Sequence, residues 1–232
     1  MRVGLIADVH GNAPALRAVL AAAREFGVER WLCAGDCVGY YYGAAECLEM
    51  LSACDVTYVR GNHEDMLQQM VNDPAAAEDI HRRYGSGLAI AQRQLSPATL
   101  AMVLAWPTSR EVRVGEVTFQ LCHGAPWDTD QYVYPDAGVE MFERCASFGG
   151  DVVVMGHTHY PFVVEVGDTT LVNPGSVGQP RDRRPGASWA WFDTDTRRVH
   201  ARLERYDVAP VVAEARHVDP HLPYLWEVLT RQ

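Results

Sequence analysis

Aspartate and histidine recur along the chain at spacings that suit metal coordination. Asp8-Val9-His10 follows one short apolar run, and Gly35-Asp36 follows another. Asn62-His63 stands inside Gly61-Asn62-His63-Glu64, and further on come His123-Gly124 and Gly156-His157-Thr158-His159. Alternate side chains of an extended segment point the same way, so Asp-x-His and His-x-His can each offer two donors to one ion. Imidazole and carboxylate without thiolate suit manganese, iron, zinc or similar ions and disfavour a closed structural zinc site. Seven donors (Asp8, His10, Asp36, Asn62, His123, His157 and His159) are too many for one tetrahedral ion. They match two ions about 3.5–4 Å apart, an arrangement that clamps attacking and leaving oxygens in displacement at phosphorus. Of the nine histidines, His81, His200, His217 and His221 stand outside these motifs and read as solvated or hydrogen-bonded side chains.

To bring such residues together, a strand must end at each motif. Residues 2–7, 31–34 and 56–60 are short apolar runs, with helical patterns over 14–26 and 43–53 between them. Pro14 sits near the start of the first helix and Gly27 closes it. This β-α-β-α-β series predicts a mainly parallel, buried sheet, with ligands gathered beyond the carboxyl ends of its strands. The stretch 64–106 reads as helices over 64–71, 75–84, 87–94 and 97–105, and their Met and Leu residues read as core. Strands return over 111–114, 117–122, 151–155, 162–166, 169–172 and 188–193, with a helix over 138–148. Gly167-Asp168 reads as a hairpin turn. The tail from about 207, proline-rich after Asp219, is assigned no element.

The 232 residues, 48% hydrophobic and 22% charged, predict a single domain over 1–232 with a helical insertion near 64–106 and a tail near 207–232. Acidic residues outnumber basic ones 30 to 20, a net charge of -10, which argues against a surface that grips long nucleic acid. Small anions are not excluded, since a bound metal can turn the local field positive. No stretch approaches about 18 uninterrupted apolar residues, and the N-terminal run is too short for a signal core. No membrane partner and a cytoplasmic location are therefore expected. Cys33, Cys37, Cys47, Cys54, Cys122 and Cys145 form no Cys-x-x-Cys pair and read as reduced, buried thiols.

The ordered set Asp-x-His, Gly-Asp, Gly-Asn-His-Glu, His-Gly and Gly-His-Thr-His resembles the calcineurin-like metallophosphoesterase superfamily. Within it, Asp36-Cys37-Val38-Gly39-Tyr40 and the run from Asn173 to Arg181 resemble small prokaryotic stand-alone phosphodiesterases, some of which cleave diadenosine tetraphosphate. The resemblance spans residue 1 to about 193. It implies an α/β fold, a four-layer αββα sandwich of two mixed sheets flanked by helices. It also implies a metal-dependent phosphoesterase acting on phosphodiester or phosphoanhydride bonds of a small nucleotide-like substrate. One metal would be held by Asp8, His10, Asp36 and His159, and a second by Asp36, Asn62, His123 and His157. A bridging hydroxide would attack phosphorus, and His63 would protonate the leaving oxygen. The implied cofactors are two divalent metal ions among manganese, iron, zinc, nickel, cobalt and magnesium, with manganese or iron favoured. One position departs from the pattern. Many relatives carry an aspartate three residues after the bridging one, where it orients the histidine, and here that position is Gly39. Either another carboxylate or a carbonyl holds His63, or the leaving group needs little protonation, as a phosphoanhydride would.

The Gly175-to-Arg181 loop offers Ser176, Gln179 and Arg181 as substrate contacts, because glycines admit close backbone approach and arginine can chelate phosphate. It also reads simply as a turn between strands. The local cluster Arg181, Asp182, Arg183 and Arg184 tilts the balance towards phosphate. Tyr40-Tyr41-Tyr42 either offers a ring to stack on a base or packs at the surface. Two other functions compete: a phosphomonoesterase of broad specificity, and a non-catalytic metal-binding scaffold, against which the seven filled donor positions argue. A homodimer contact through the middle helices or the tail stays open.

Overall fold

Alternation along the first strand sorts its side chains between two cores. In the computed structural model, which describes residues 1–231, β1 (Arg2–Ile6) turns Val3 and Leu5 towards a second sheet and Ile6 towards helices. It lies in a five-stranded mixed sheet with β2 (Arg30–Cys33), β3 (Val56–Tyr58), β9 (Ala187–Asp193) and β10 (Arg198–Glu204), in the order β10-β9-β1-β2-β3. The facing sheet holds β4 (Ser109–Val114), β5 (Val117–Cys122), β6 (Val152–Val154), β7 (Phe162–Val166) and β8 (Thr169–Asn173), in the order β4-β5-β6-β8-β7. The two share a buried apolar layer in which Phe119 and Phe192 meet edge to face at 5.3 Å. Each such side chain contributes roughly 1.5–3 kcal/mol of burial.

Helices cover both outer faces, which completes four layers. α1 (Ala13–Glu25) and α2 (Ala44–Ser52) share a buried cluster with Trp31, Trp189 and Trp191 of the first sheet. Asn12 caps α1 by accepting the Ala15 N–H at 3.2 Å, and Pro14 occupies the first turn, where no donor is lost. α7 (Val139–Ala146) buries Phe142 and Cys145 on the outside of the second sheet. The expected hairpin at Gly167-Asp168 joins β7 to β8, with Val166 opposite Thr169.

The expected middle helices are present as α3 (Asn62–Asn72), α4 (Ala76–Tyr84), α5 (Gly87–Gln94) and α6 (Pro97–Leu104). Leu67, Met70 and Leu88 are core, as expected, whereas Met102 is exposed. One difference matters to the site: α3 begins at Asn62, not at 64, because Glu64 takes the Gly61 N–H at 2.7 Å and closes the first turn.

Three further elements stand where none was assigned. β10 has an exposed outer face, so its alternation carries little apolar signal. α8 (Ala209–Val218) and α9 (Tyr224–Thr230) make up the tail, and their prolines sit at helix starts. Val211, Ala215, Leu225, Val228 and Leu229 pack on Tyr40, Tyr41 and Tyr42. Those tyrosines are therefore buried, not at the surface. All six cysteines are free, and only Cys54 is partly exposed. Among the described residues, no helix is long and apolar enough to cross a membrane.

Candidate metal centre

β1, β2 and β3 run parallel to one another, as do β5, β6 and β8, so both sheets contribute carboxyl ends to one rim. Asp8 and His10 follow β1, Asp36 follows β2, His123 follows β5, and His157 and His159 follow β6. Asn62 and His63 are the first two residues of α3. All of these side chains are buried except Asn62, which is half-buried.

The convergence is not the expected extended alternation. Asp8, His10, Asp36, His157 and His159 have φ of 54°, 50°, 56°, 67° and 63°, in the left-handed region. Alternate residues turn inward through tight turns, at roughly 1–3 kcal/mol each for a non-glycine residue. Hydrogen bonds between the loops hold these turns: Asp8 N–H donates to Gly35 O at 3.0 Å and His10 N–H to Asp36 O at 2.9 Å.

Four imidazoles are polarised by the same device. His10 Nδ1 lies 3.2 Å from Val38 O, His123 Nδ1 2.7 Å from Ala34 O, His159 Nδ1 2.5 Å from Gln179 O, and His157 Nε2 3.2 Å from Asp130 O. A carbonyl only accepts, so each ring donates there and turns its other nitrogen to the interior, bare wherever the ring is neutral. His10 Nε2 and His159 Nε2 then face each other as two acceptors 3.1 Å apart, a contact that repels without positive charge nearby. Beside them, His159 Nε2 is 3.4 Å from Asp8 Oδ1, and His10 Nε2 is 3.8 Å from Asp36 Oδ2. On the other side of Asp36, His123 Nε2 lies 3.3 Å from Asp36 Oδ2 and 3.1 Å from Asn62 Oδ1. Asn62 Oδ1 is also 3.1 Å from His157 Nδ1. All seven expected donors are thus gathered in two adjoining groups that share Asp36. Bare imidazole nitrogens, carboxylates and an amide oxygen without thiolate fit divalent transition-metal ions.

The electrostatics agree with that fit. Burial takes His10 and His159 well below the ordinary imidazole range and brings His63 and His157 down to about 4, which keeps them neutral. Burial pushes Asp8 up to about 8. At His123 burial is outweighed by Asp36, and the imidazole rises to about 10. Asp36 runs against its own burial, held well below the carboxylate range chiefly by His123. A carboxyl and an imidazole raised side by side mark a place that attracts positive charge.

His63 is buried and held by packing. Its ring lies 4.6 Å from those of His10 and Tyr40 and 5.5 Å from Tyr84. Its Nδ1 has no hydrogen-bond partner, so neither the substitute carboxylate nor the carbonyl expected for Gly39 is there. A Cβ at Gly39, where φ is 118°, would overlap Nδ1 and come within 2.9 Å of Cγ and Cε1.

Glu64 was assigned no role from sequence and turns out to be a keystone. Its buried carboxylate accepts the N–H groups of Asp36 (2.9 Å), Cys37 (2.7 Å), Val38 (3.2 Å) and Gly61 (2.7 Å). It thereby ties the Asp36 loop to the start of α3. An acid three positions into a helix was the available signal.

The expected substrate residues separate. Ser176 is buried and its hydroxyl is committed to the frame, donating to Asp8 O and accepting the Gln179 N–H, both at 2.7 Å. Gln179 holds His159 through its carbonyl and Arg181 through Oε1 at 3.1 Å, while its buried Nε2 has no partner. Arg181 lines the cleft and donates to Tyr40 Oη at 3.0 Å. Arg183 and Arg184 are exposed outside it, and Arg184 pairs with Asp182 at 2.6 Å. Of the three adjacent tyrosines only Tyr40 reaches the cleft. Tyr41 and Tyr42 donate to Leu225 O and Asp219 in the tail. Tyr84 and Tyr132 complete the mouth, with Tyr132 stacked on His157 at 4.1 Å. No motif marked these two, because they reach the rim from α4 and from the loop after β5.

Residues 1–197 match the calcineurin-like phosphoesterase superfamily domain. The crystal structure of a metallophosphoesterase from Sphaerobacter thermophilus is similar at 26% identity and a TM-score of 0.77, covering 98% of this chain and 99% of that one. A protein of Pyrococcus horikoshii OT3, 19% identical, shares the fold with a TM-score of 0.84 over 99% of this chain and 98% of its own. Phosphodiesterase YfcE of Escherichia coli K12 is 24% identical over 221 residues, 91% of this chain and 97% of that protein.

Proposed function

The chain belongs to the calcineurin-like phosphoesterase superfamily, and on that premise we propose that it is a dinuclear metal-dependent hydrolase of phosphodiester or phosphoanhydride bonds in a small nucleotide-like substrate, dinucleoside polyphosphates included. One observation carries the reading: four buried imidazoles each donate to a backbone carbonyl and turn the other ring nitrogen towards two buried carboxylates. Asp8, His10, Asp36 and His159 hold one divalent ion, and Asp36, Asn62, His123 and His157 hold the other, with manganese or iron favoured. When bound, the ions supply Lewis acidity at the phosphoryl oxygens and an acidified water at neutral pH.

The protein's own groups do the rest. Arg181 exchanges its bonds to Tyr40 and Gln179 for a phosphoryl oxygen, a charge-assisted contact. His63 has Nδ1 against Gly39 and works through Nε2: neutral in the free cleft, it takes up a proton alongside the bound anion and passes it to the leaving oxygen. Tyr84 and Tyr132 offer ring faces to a nucleobase or aryl group at the mouth. We treat 1–232 as one domain, because the tail packs on the tyrosines that follow Asp36. Six free thiols suit a reducing, cytoplasmic setting.

Asp36→Asn is expected to abolish turnover of bis(p-nitrophenyl) phosphate with manganese present, and His63→Gln to abolish turnover of a diester that releases an alkoxide, while the fold is retained by circular dichroism. Undiminished turnover in both would overturn the assignment.

A further inference from the structure

Two of the histidines left outside the metal centre flank a buried carboxylate where the tail meets α4. Asp219 follows α8 and is fully buried. Its three donors are neutral: Tyr42 Oη and Ser86 N–H bond Oδ2 at 2.8 Å, and Ser86 Oγ bonds Oδ1 at 2.7 Å. A buried carboxylate held only by neutral donors lacks a counter-charge. On its solvent side stand the exposed imidazoles of His81, in the last turn of α4, and His221, with ring centroids 5.8 Å apart. One donor atom from each of His81, Asp219 and His221 lies within 4.8 Å of the others.

We propose that His81, Asp219 and His221 form a peripheral divalent-cation site, separate from the phosphoester centre and independent of its reading. Oδ1 accepts one hydrogen bond to the two at Oδ2, so it keeps acceptor capacity. The carboxylate is fixed by Tyr42 and Ser86, while both imidazoles are exposed, and the His81 Nδ1 contact to Ser86 Oγ is a long 3.5 Å that an ion would replace. Zinc–nitrogen and zinc–oxygen bonds of about 2.0–2.1 Å put tetrahedral ligand atoms about 3.3 Å apart, a distance that side-chain rotation of the two rings supplies. Two imidazoles and one carboxylate select zinc or a neighbouring transition metal over calcium or magnesium, and water completes the shell.

The ion would bridge the tail to the last turn of α4. The same junction is joined by the Tyr224 hydroxyl, which donates to Arg83 O at 2.8 Å. Tyr84, next to Arg83, lines the phosphoester cleft, so the site braces one wall of the substrate mouth.

The test is zinc content by mass spectrometry after equilibrium dialysis at about 10 µM free zinc, for the wild type and for His81→Ala/His221→Ala. The double variant is expected to retain one zinc fewer per chain and to keep its manganese-dependent phosphodiester hydrolysis within twofold of the wild type. A variant that had lost its fold would shed the ions of the main centre as well, so a difference of one ion is specific to this site. Equal zinc content in the two proteins overturns the proposal, whatever the hydrolysis assay shows.

Discussion

Gly39→Ala is a test of how His63 is held. The glycine has φ of 118°, and an added Cβ would overlap His63 Nδ1. An imidazole at the open end of a side chain could swing away cheaply. This one cannot, because His10, Tyr40 and Tyr84 rings box it at 4.6, 4.6 and 5.5 Å. The left-handed backbone alone costs alanine roughly 1–3 kcal/mol. For a chain of this size that lowers the melting temperature by about 2–12 °C. The fold survives, and the displaced ring loses its line to the leaving oxygen. General-acid catalysis contributes typically 10²–10⁴-fold, or about 2.7–5.5 kcal/mol of barrier. The assay compares kcat on two diesters, one releasing p-nitrophenolate and one releasing an alkoxide. A loss above about 100-fold is expected for the alkoxide and below about tenfold for the nitrophenolate, with bound metal unchanged. Equal losses on both substrates, or none on either, would refute the claim that ring packing alone aims His63.

Glu64→Ala removes one acceptor from each of four buried N–H groups and is expected to cost about 4–5 kcal/mol in urea unfolding, the low end of the sum because water can enter the space. An unchanged midpoint would show that the clamp is dispensable. Chelation by EDTA should lower the melting temperature, and manganese at 100 times its Kd should restore about 2.7 kcal/mol per ion, as read by calorimetry. Asp151 offers a pH test away from the site. The Thr118 N–H holds its carboxyl below the ordinary aspartate value, and Arg197 adds to this over the opposing effect of burial. A folded value below the unfolded one means stability present at neutral pH and lost as pH falls through the folded value. Asp151→Asn should therefore cost roughly 1 kcal/mol at pH 7, and its difference from wild type should close on acidification below the ordinary aspartate range.

The gathering of the seven candidate donors was legible because chemistry restricts their residue types and the parallel strands restrict where they stand. Asp8, Asp36, His123 and His157 each follow a strand whose apolar run is visible in the sequence. What escaped was whatever depends on partners distant in sequence. Tyr84 and Tyr132 enter the cleft from segments with no motif, and Glu64 reaches across 28 residues to the Asp36 N–H. The tail helices were hidden by prolines that stand at their starts, and β10 by a face that buries little. His81 and His221 looked like ordinary surface histidines because Asp219 and His221, two residues apart, meet His81 only through the packing of the tail on Tyr42 and Ser86.

The Asp8 and His10 side chains do converge, but through left-handed turns and not through the expected extended alternation, and the difference explains the surroundings of the site. Extended alternation would have placed the donors without strain. Five candidate donors in left-handed conformations instead carry on the order of 5–15 kcal/mol together, comparable to the net stability of a whole domain. Such a conformation persists only where neighbouring bonds over-determine it. The buried polar residues around the rim do that work. Ser176 donates to Asp8 O, Asn12 to Gly178 O at 2.8 Å, and Asn173 to Gly156 O at 2.7 Å, while Glu64 gathers the Asp36 loop. The serine that looked like a substrate contact is therefore part of the frame that keeps the aspartate turned inward. Its removal should weaken metal binding before it alters the choice of substrate.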